Sequence, residues 1–195
     1  MRTPWGYDIA SLDPLISVSE FNTMTGSKYA GDDRVEPALK AASQAVRNYC
    51  GWHICPSLVC TANPVGGAKV ARLQATYVSG ITSVKEYNVE LDGGQYEWRK
   101  DGLIRRTCFK RWPSEWNALE VKYTAGYNIA EVPDIAEAVR SIAEGVLAVS
   151  AGISSESADG VSVSYSQSAS SIAAALTISQ KAALEIYKVV NAHAA

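Results

Sequence analysis

The spacing of apolar residues changes twice along the chain, and these changes constrain the fold more than any other feature. Between residues 34 and 50, apolar residues recur at helical spacing. From residue 52 to about residue 127, short runs rich in Val, Ile, Tyr, Thr and Trp are separated by Gly and Asn-Pro, which is typical of strands. Helical spacing returns between residues 133 and 150. We therefore predict an α+β fold: a helical bundle of about four helices with an inserted small antiparallel β-region.

Local start and stop signals support these assignments. Ser17 and Glu20 form a capping-box motif, which predicts a short helix that ends near Gly26. Asp33 and Glu36 repeat the motif before the second helix. Pro133 occupies a first helical position, where its missing N–H costs little.

We interpret residues 1–195 as a single domain of five segments. N-terminal helices span 15–51, the β-rich insertion 52–127 and a core helix 133–150. A flexible loop covers 151–172, and a C-terminal helix lies within 173–195, from about 177 to 191. The Asp-Gly pair at 101–102 predicts a hairpin whose tight turn uses positive φ angles. Residues 1–14 and 154–171 lack a core-forming pattern, so we expect both segments to be disordered in the isolated subunit.

Two segments near the C-terminus are candidates for contact with other chains. Residues 154–171 contain nine serines, yet Val161, Val163 and Tyr165 alternate with serines as strand residues do. This alternation favours pairing with a neighbouring subunit. In the last helix one apolar face holds Leu184, Tyr187 and Val190. That face could dock on a partner or pack on the subunit's own helix 133–150, and spacing does not distinguish the two.

The residues that usually carry chemistry do not form a catalytic or metal-binding pattern. The histidines are His53 and His193, and we interpret His53 as a packing or hydrogen-bonding residue. The cysteines lack the paired spacing of zinc sites, so we interpret them as free thiols in a reducing cytosol; they are Cys50, Cys55, Cys60 and Cys108. No phosphate-binding glycine loop, secretory signal or membrane-spanning run is evident. We expect no enzyme activity, no cofactor and no membrane association.

One charge cluster stands out against a net charge of only −2. Six cations lie within 13 residues, opposed in that stretch by Asp101 alone; they are Arg99, Lys100, Arg105, Arg106, Lys110 and Arg111. Trp98, Phe109, Trp112 and Trp116 are interleaved with them. The cluster is either a solvated hairpin face beside a small aromatic core or a basic surface that meets phosphate or an acidic partner. No base-reading motif accompanies it, so sequence-specific DNA recognition is not expected.

The order of these signals resembles the head–tail connector (adaptor, or head-completion) proteins of long-tailed bacteriophages and related prophages. Three stretches carry the resemblance: SVSEFNTMTGSKYAGDDRVEPALKAASQAVRNYCGWHI from residue 17; ITSVKEYNVELDGGQYEW from residue 81, followed by RWPSEWNALEVKYTAGYNIAEVPDIAEAV from residue 111; and the serine-rich loop with the terminal helix containing LEIY. Together they cover most of residues 17–190, and their specificity lies in their order.

The resemblance implies a structural role. Such proteins form a ring, commonly of twelve subunits, beneath the portal of a DNA-filled capsid. The ring extends the DNA channel and supports the stopper or tail-completion proteins, with no catalytic residues. It implies a protein made in the host cytoplasm and located in the virion neck. Leu184, Tyr187 and Val190 become portal-docking candidates. The alternatives are another head–tail joining or tail-terminator protein, and a non-specific nucleic-acid-binding module that uses the basic cluster.

Overall fold

The structure, a computed structural model, describes residues 1–150, 155–158, 161–164 and 176–189. The helices are α1 (Val18–Met24), α2 (Val35–Cys50), α3 (Pro133–Ser150) and α4 (Ile178–Leu184). The strands are β1 (Tyr7–Asp8), β2 (Leu58–Ala62), β3 (Val70–Arg72), β4 (Val78–Glu86), β5 (Val89–Glu90), β6 (Tyr96–Trp98), β7 (Leu103–Arg106), β8 (Leu119–Ala125), β9 (Ser155–Ala158) and β10 (Val161–Ser164). Single 3-10 turns occur at Gly93–Gln95, Ile129–Glu131 and Glu185–Tyr187.

The chain divides into two compact units. The β unit comprises Met1–Leu12, Cys50–Asn128 and Tyr187–Ala195, and the helical unit comprises Asp13–Tyr49 and Ile129–Ile186. The predicted α+β class is confirmed. The predicted helical bundle is not, because strands make up a large part of the described residues and build two sheets in the β unit. The interpretation of residues 1–195 as a single domain stays a prediction.

The helical unit follows the signals in its sequence. The Ser17 hydroxyl accepts from the backbone N–H of Glu20 at 3.1 Å, and the Glu20 carboxylate accepts from the N–H of Ser17 at 2.7 Å, so the predicted capping box is formed. Before α2, Asp32 accepts the N–H of Arg34, whereas the sequence indicated Asp33. α3 begins at Pro133 as predicted. The apolar stripes of α2 and α3 are buried; they include Leu39, Ala42, Val46, Ile135, Val139 and Leu147.

Two antiparallel sheets form the β unit. The larger has the strand order β1-β2-β8-β4-β5, and the smaller has the order β3-β7-β6. Strand β8 is central to the larger sheet, and alternate residues along it are buried; these are Leu119, Val121, Tyr123 and Ala125. This period of two is the pattern of a strand with one buried face.

The N-terminal residues are ordered, which corrects the expectation for residues 1–14. Tyr7 pairs with Ala62 where β1 meets β2, and its side chain is buried. The backbone N–H of His53 donates to the Tyr7 hydroxyl at 2.9 Å, and that hydroxyl lies 2.8 Å from His53 Nδ1. The segment is held by contacts with residues about fifty positions away, which local composition does not reveal.

The chain near the C-terminus also departs from the prediction. α4 ends at Leu184, not near residue 191, and a 3-10 turn follows. Within the β unit, the Trp52 indole N–H donates to the carbonyl of Tyr187 at 2.7 Å, and the N–H of Val189 donates to the carbonyl of Cys50 at 2.9 Å. These bonds use backbone groups that a longer helix would need, so tertiary contacts override helical spacing. No helix in the described residues is long and apolar enough to cross a membrane.

Candidate functional site and assembly surfaces

The β6–β7 hairpin, which we call the basic hairpin, contains four of the six clustered cations. Its turn spans residues 99–102, and Gly102 alone adopts a positive φ there, at +81°. Asp101 does not, so only half of the predicted Asp-Gly turn geometry is correct. A Cβ at Gly102 would lie 2.4 Å from the carbonyl oxygen of Ala75, so only glycine fits this position.

Carboxylates neutralise much of the basic hairpin. Arg105 Nη2 lies 2.6 Å from Glu97, its direct cross-strand partner, and Arg99 lies 3.0 Å from Asp101. The sequence count took in residues 99–111 only, where Asp101 is the one acidic residue. Glu97 lies just before the counted stretch, and antiparallel pairing of β6 with β7 brings it opposite Arg105.

The side chain of Arg106 is buried, unlike those of the other clustered arginines. Its side chain is only 8% exposed, and Arg106 Nε lies 3.0 Å from Glu86 Oε1, whose side chain is 18% exposed. The guanidinium also donates to the carbonyl of Gln95 at 2.9 Å and lies over the Trp112 ring. Glu86 comes from β4, twenty residues earlier, so the sequence gave no sign of this pair. We therefore interpret Arg106 as a structural residue.

Residues 107–117, which we call the basic loop, carry exposed cations that form no ion pair within the described residues. Lys110 and Arg111 are exposed, and Arg111 donates to the carbonyl of Gly67 at 3.3 Å. The ammonium groups of Lys110 and of Lys100 on the hairpin have no carboxylate partner among the described residues. Of the six predicted contact residues, Lys100, Lys110 and Arg111 are thus exposed without an ion pair in the described residues, whereas Arg99 and Arg105 are exposed and ion-paired.

The aromatic residues of the basic loop divide into one anchor and two exposed rings. Trp112 is buried, and its indole N–H donates to the carbonyl of Ile104 at 3.2 Å. Phe109 and Trp116 are 89% and 92% exposed. The alternative of a small aromatic core therefore holds for Trp112, whereas Phe109 and Trp116 lie on the surface. Tryptophan and arginine, both exposed on this loop, are residue types enriched at interface hot spots.

Close packing holds the basic loop in place. A Cβ at Gly66 would lie 1.9 Å from the carbonyl oxygen of Pro113, so the neighbouring 64–68 loop approaches as only glycine permits. At the other end, the Tyr87 hydroxyl donates to the Glu115 carboxylate at 2.5 Å. This hydrogen bond lowers the pKa of Glu115 and raises the pKa of Tyr87. Phe109 and Trp116 therefore belong to a loop that is held by contacts at Pro113 and Glu115.

The remaining candidates lie near the C-terminus. Leu184 is buried in the helical unit and Tyr187 is buried in the β unit, while Val190 lies outside the described residues. The apolar side chains exposed on this segment are instead Ile178 and Ile186, at 89% and 73%. Val161 and Val163 lie in β10, so the strand prediction is confirmed for them, and β10 pairs with β9 of the same chain. Tyr165 lies outside the described residues.

The histidine and cysteine side chains that could take part in catalysis or metal binding are mostly buried in the described residues. His53 is buried, and its Nε2 lies 3.0 Å from the carbonyl oxygen of Ala125, which agrees with its interpretation as a hydrogen-bonding residue. Burial raises the pKa of the Cys60 thiol to about 12. Cys50 and Cys55 are also buried, whereas Cys108 is exposed. No group of three or more potential metal ligands occurs within the described ranges.

Solved structures with the same fold come from the neck of a phage-like particle. One is from the neck of a native gene transfer agent particle computed with C12 symmetry, with 16% identity, a TM-score of 0.63, and coverage of 97% of this chain and 98% of that chain. Another is from the neck of an empty particle computed with C6 symmetry, at 16% identity, a TM-score of 0.62 and the same coverage. A third, from the virion of the native particle, has 17% identity, a TM-score of 0.62 and again the same coverage.

The family comparison is more specific than the fold. A search of curated protein sequences gives no significant match. A family model described as head completion protein matches residues 14–188, which include parts of both units. The match confirms the resemblance inferred from the sequence and the structural role in head–tail joining that it implies. Because the match spans most of the chain, this protein belongs to the head completion protein family.

Proposed function

We propose that the protein forms a ring of twelve subunits in the neck of a phage-like particle, where it joins the portal to the stopper or tail and extends the DNA channel. The observation that carries the proposal is the agreement in fold, over 97% of the chain, with a protein from a neck computed with C12 symmetry. A closed ring needs two different complementary faces on each subunit. The exposed rings of the basic loop and the exposed isoleucines near α4 are candidates for such faces.

Loss of the protein tests this role. Without it, we expect DNA-filled heads and finished tails that fail to join, and wild-type protein supplied from a plasmid should restore joined particles. A variant with an exposed substitution on α2 that belongs to neither candidate face, Gln44→Ala, should restore joining equally well. Normally joined particles in the absence of the protein would contradict the proposal.

The basic loop supports contact with phosphate or with an acidic neighbour. Each subunit presents Lys100, Lys110 and Arg111, and a ring repeats these charges around a circle. Phosphate contact would be indifferent to base sequence, because lysine and arginine meet backbone charge. Binding of short duplex DNA to the isolated subunit should then fall with salt, at a logarithmic slope of about −0.9 for each phosphate neutralised. The aromatic rings beside these cations favour a protein partner, so we propose an acidic surface of a neighbouring ring.

We also propose that the C-terminal segment docks on the portal, but through exposed residues other than the ones predicted from the sequence. Leu184 and Tyr187 are buried in the subunit and support its own packing. Ile178 and Ile186 provide the accessible apolar surface. Replacing both with serine should leave the subunit folded, because exposed changes seldom cost more than about 0.5 kcal/mol, and should prevent portal binding.

The matched control for this docking test is Ser179→Ala, on the same helix. Pull-down with purified portal and circular dichroism would be measured for both variants. A double serine variant that binds the portal like wild type would exclude this segment. Truncation after Ser171 is a poorer test, because it also removes the bonds that Trp52 and Cys50 make to the C-terminal segment.

A further inference from the structure

We propose that the outer edge of β3 accepts the β9–β10 hairpin of a second copy of this chain, and that this strand addition links neighbouring subunits. The inference rests on the proposed ring and specifies one of its contacts. It starts from the smaller sheet of the β unit. Strand β3 is an edge strand there, because it pairs with β7 on one side only.

Hydrogen bonding along β3 defines which groups face outward. The N–H of Leu73 donates to the carbonyl of Gly102, and the N–H of Arg106 donates to the carbonyl of Lys69. In an antiparallel pair, hydrogen-bonded positions alternate, so Ala71 bonds to β7 while Val70 and Arg72 direct their N–H and C=O groups away from it. These four groups form no hydrogen bond within the part of the chain that the structure describes.

A groove of about 560 Å³ lies beside this open edge. Its walls include Trp5, Val65, Val70, Arg72 and Leu103. Val65 and Val70 are 67% and 44% exposed, so apolar surface is available next to unpaired backbone groups. A strand edge gives an extended segment its hydrogen bonds, and adjacent apolar walls receive every second side chain.

The β9–β10 hairpin has the properties of the occupant. An isolated two-stranded hairpin is marginally stable in water, and a third strand would stabilise it. In β10, Val161 and Val163 alternate with serines, which matches an apolar groove on one side of the added strand. The two strands, residues 155–158 and 161–164, contain Glu156 but no Lys or Arg, whereas Lys69 and Arg72 lie at the acceptor edge. Charge and periodicity are therefore complementary between two different parts of the same chain.

A contact between two different surfaces is heterologous, and repeated heterologous contacts close into a ring when the rotation permits. Strand addition would thus give each subunit one donor element, the β9–β10 hairpin, and one acceptor element, the outer edge of β3. This arrangement predicts a distinctive result for mixtures of variants. A subunit that lacks only the acceptor and one that lacks only the donor should form a heterodimer together, although neither can form a ring.

The acceptor variant is Val70→Pro. Proline removes an N–H that faces away from β7, so the β3–β7 ladder keeps its bonds while the outer edge is blocked. Val70→Thr is the matched control, because it keeps the N–H and the β-branched shape. The donor variant replaces Val161 and Val163 with lysine, and its control replaces both with threonine. Circular dichroism and thermal unfolding should show all four variants folded.

Sedimentation velocity over a concentration series measures association. Wild type and both threonine controls should associate alike, whereas Val70→Pro and the lysine variant should each associate about tenfold more weakly or not at all. An equimolar mixture of these two should give a heterodimer. If wild type stays monomeric at every concentration, the amount of each variant in purified particles is measured instead. The Val70→Pro protein should then be absent from particles, and the Val70→Thr protein should be present.

Two results would overturn the inference. Val70→Pro that assembles like Val70→Thr would show that the β3 edge is not used. Two defective variants that form no heterodimer would show that the β9–β10 hairpin is not its occupant. Neither result would contradict the proposed function, because that function does not depend on how the subunits are linked. That function fails separately, if wild-type protein is absent from the head–tail joint of purified particles.

Discussion

The basic hairpin and the basic loop carry the same kind of charge, but their surroundings differ. Each arginine of the hairpin lies within 3.0 Å of a carboxylate, and Arg106 is almost fully buried. In the loop, Lys110 and Arg111 face solvent beside Phe109 and Trp116. Charge counted along a sequence therefore overestimates the charge that a surface presents, since strand pairing adds partners from other parts of the chain. We interpret the hairpin as structural and the loop as the contact surface.

The largest effect should separate the two kinds of tryptophan in the loop. Trp112→Ala removes a buried indole and its bond to Ile104, so the free energy of unfolding should fall by about 3–5 kcal/mol. Trp116→Ala removes an exposed ring and should change that free energy by less than about 0.5 kcal/mol. Urea denaturation of both variants measures the difference. Similar losses of stability would show that Trp116 also serves the fold.

The next effect concerns the buried ion pair of the hairpin. Arg106→Met leaves the Glu86 carboxylate buried without its partner, and we expect a loss of about 3 kcal/mol in unfolding free energy. Adding Glu86→Leu should recover much of it, because two apolar side chains then replace the pair. Thermal and urea unfolding of wild type, both single variants and the double variant complete a double-mutant cycle. A double variant as unstable as the sum of the singles would argue against the pair.

A smaller effect is expected for the exposed pair on the same hairpin. The side chains of Arg105 and Glu97 are 63% and 57% exposed, so solvent screens their attraction. Arg105→Ala should lower the unfolding free energy by no more than about 1 kcal/mol. Because the Debye length is only about 3 Å at 1 M salt, the difference from wild type should largely vanish there. A loss as large as that of Arg106→Met would mean that exposure does not decide the strength of these pairs.

Charge reversal in the basic loop should affect assembly and hardly affect stability. Lys110→Glu with Arg111→Glu should change unfolding free energy by less than about 0.5 kcal/mol per site. We expect the folded variant to lose joining of heads to tails, or retention of DNA, because the repeated surface then repels its partner. Counts of infectious particles beside circular dichroism measure this. Normal yields would show that the loop is only a solvated surface.

The smallest effect is a local titration at the end of the loop. The hydrogen bond from Tyr87 holds the pKa of Glu115 below its ordinary value of 4.5. Because the pKa of Glu115 is lower in the folded state, the hydrogen bond from Tyr87 stabilises the fold at pH values above the unfolded-state pKa of this carboxyl. That stabilisation is lost as pH falls through the folded-state pKa. NMR titration should find the Glu115 midpoint below the usual range in wild type. Tyr87→Phe should raise it, and an unchanged midpoint would contradict the contact.

Much of the helical unit could be predicted from the sequence because its signals are local. The Ser17–Glu20 capping box and Pro133 act within one helical turn, and the stripes of α2 and α3 repeat over several turns. Alternation along β8 is also a local pattern. The order of such signals was sufficient to identify the family, because it extends over most of the chain.

The sequence failed where distant residues decide the outcome. Tyr7 is ordered by His53, α4 is cut short by bonds to Trp52 and Cys50, and Arg106 is buried against Glu86. None of these partners lies within a helical turn or a hairpin of the residue concerned. The sequence also left Phe109 and Trp116 open between a small core and a contact surface, because aromatic residues interleaved with charges occur in both. The turn at Tyr87–Asn88, with φ of 50° and 64°, lacks the glycine that marks such turns.

Electron cryo-microscopy of the neck of the particle that contains this protein tests the central claim most directly. We predict a ring of twelve copies between the portal and the tail, with the basic loop of each copy at a contact with a neighbouring protein. In the same map, a strand from a neighbouring copy should pair with the outer edge of β3 in every copy, as a fourth strand of the smaller sheet. A joint between head and tail that contains no density for this fold would contradict the account.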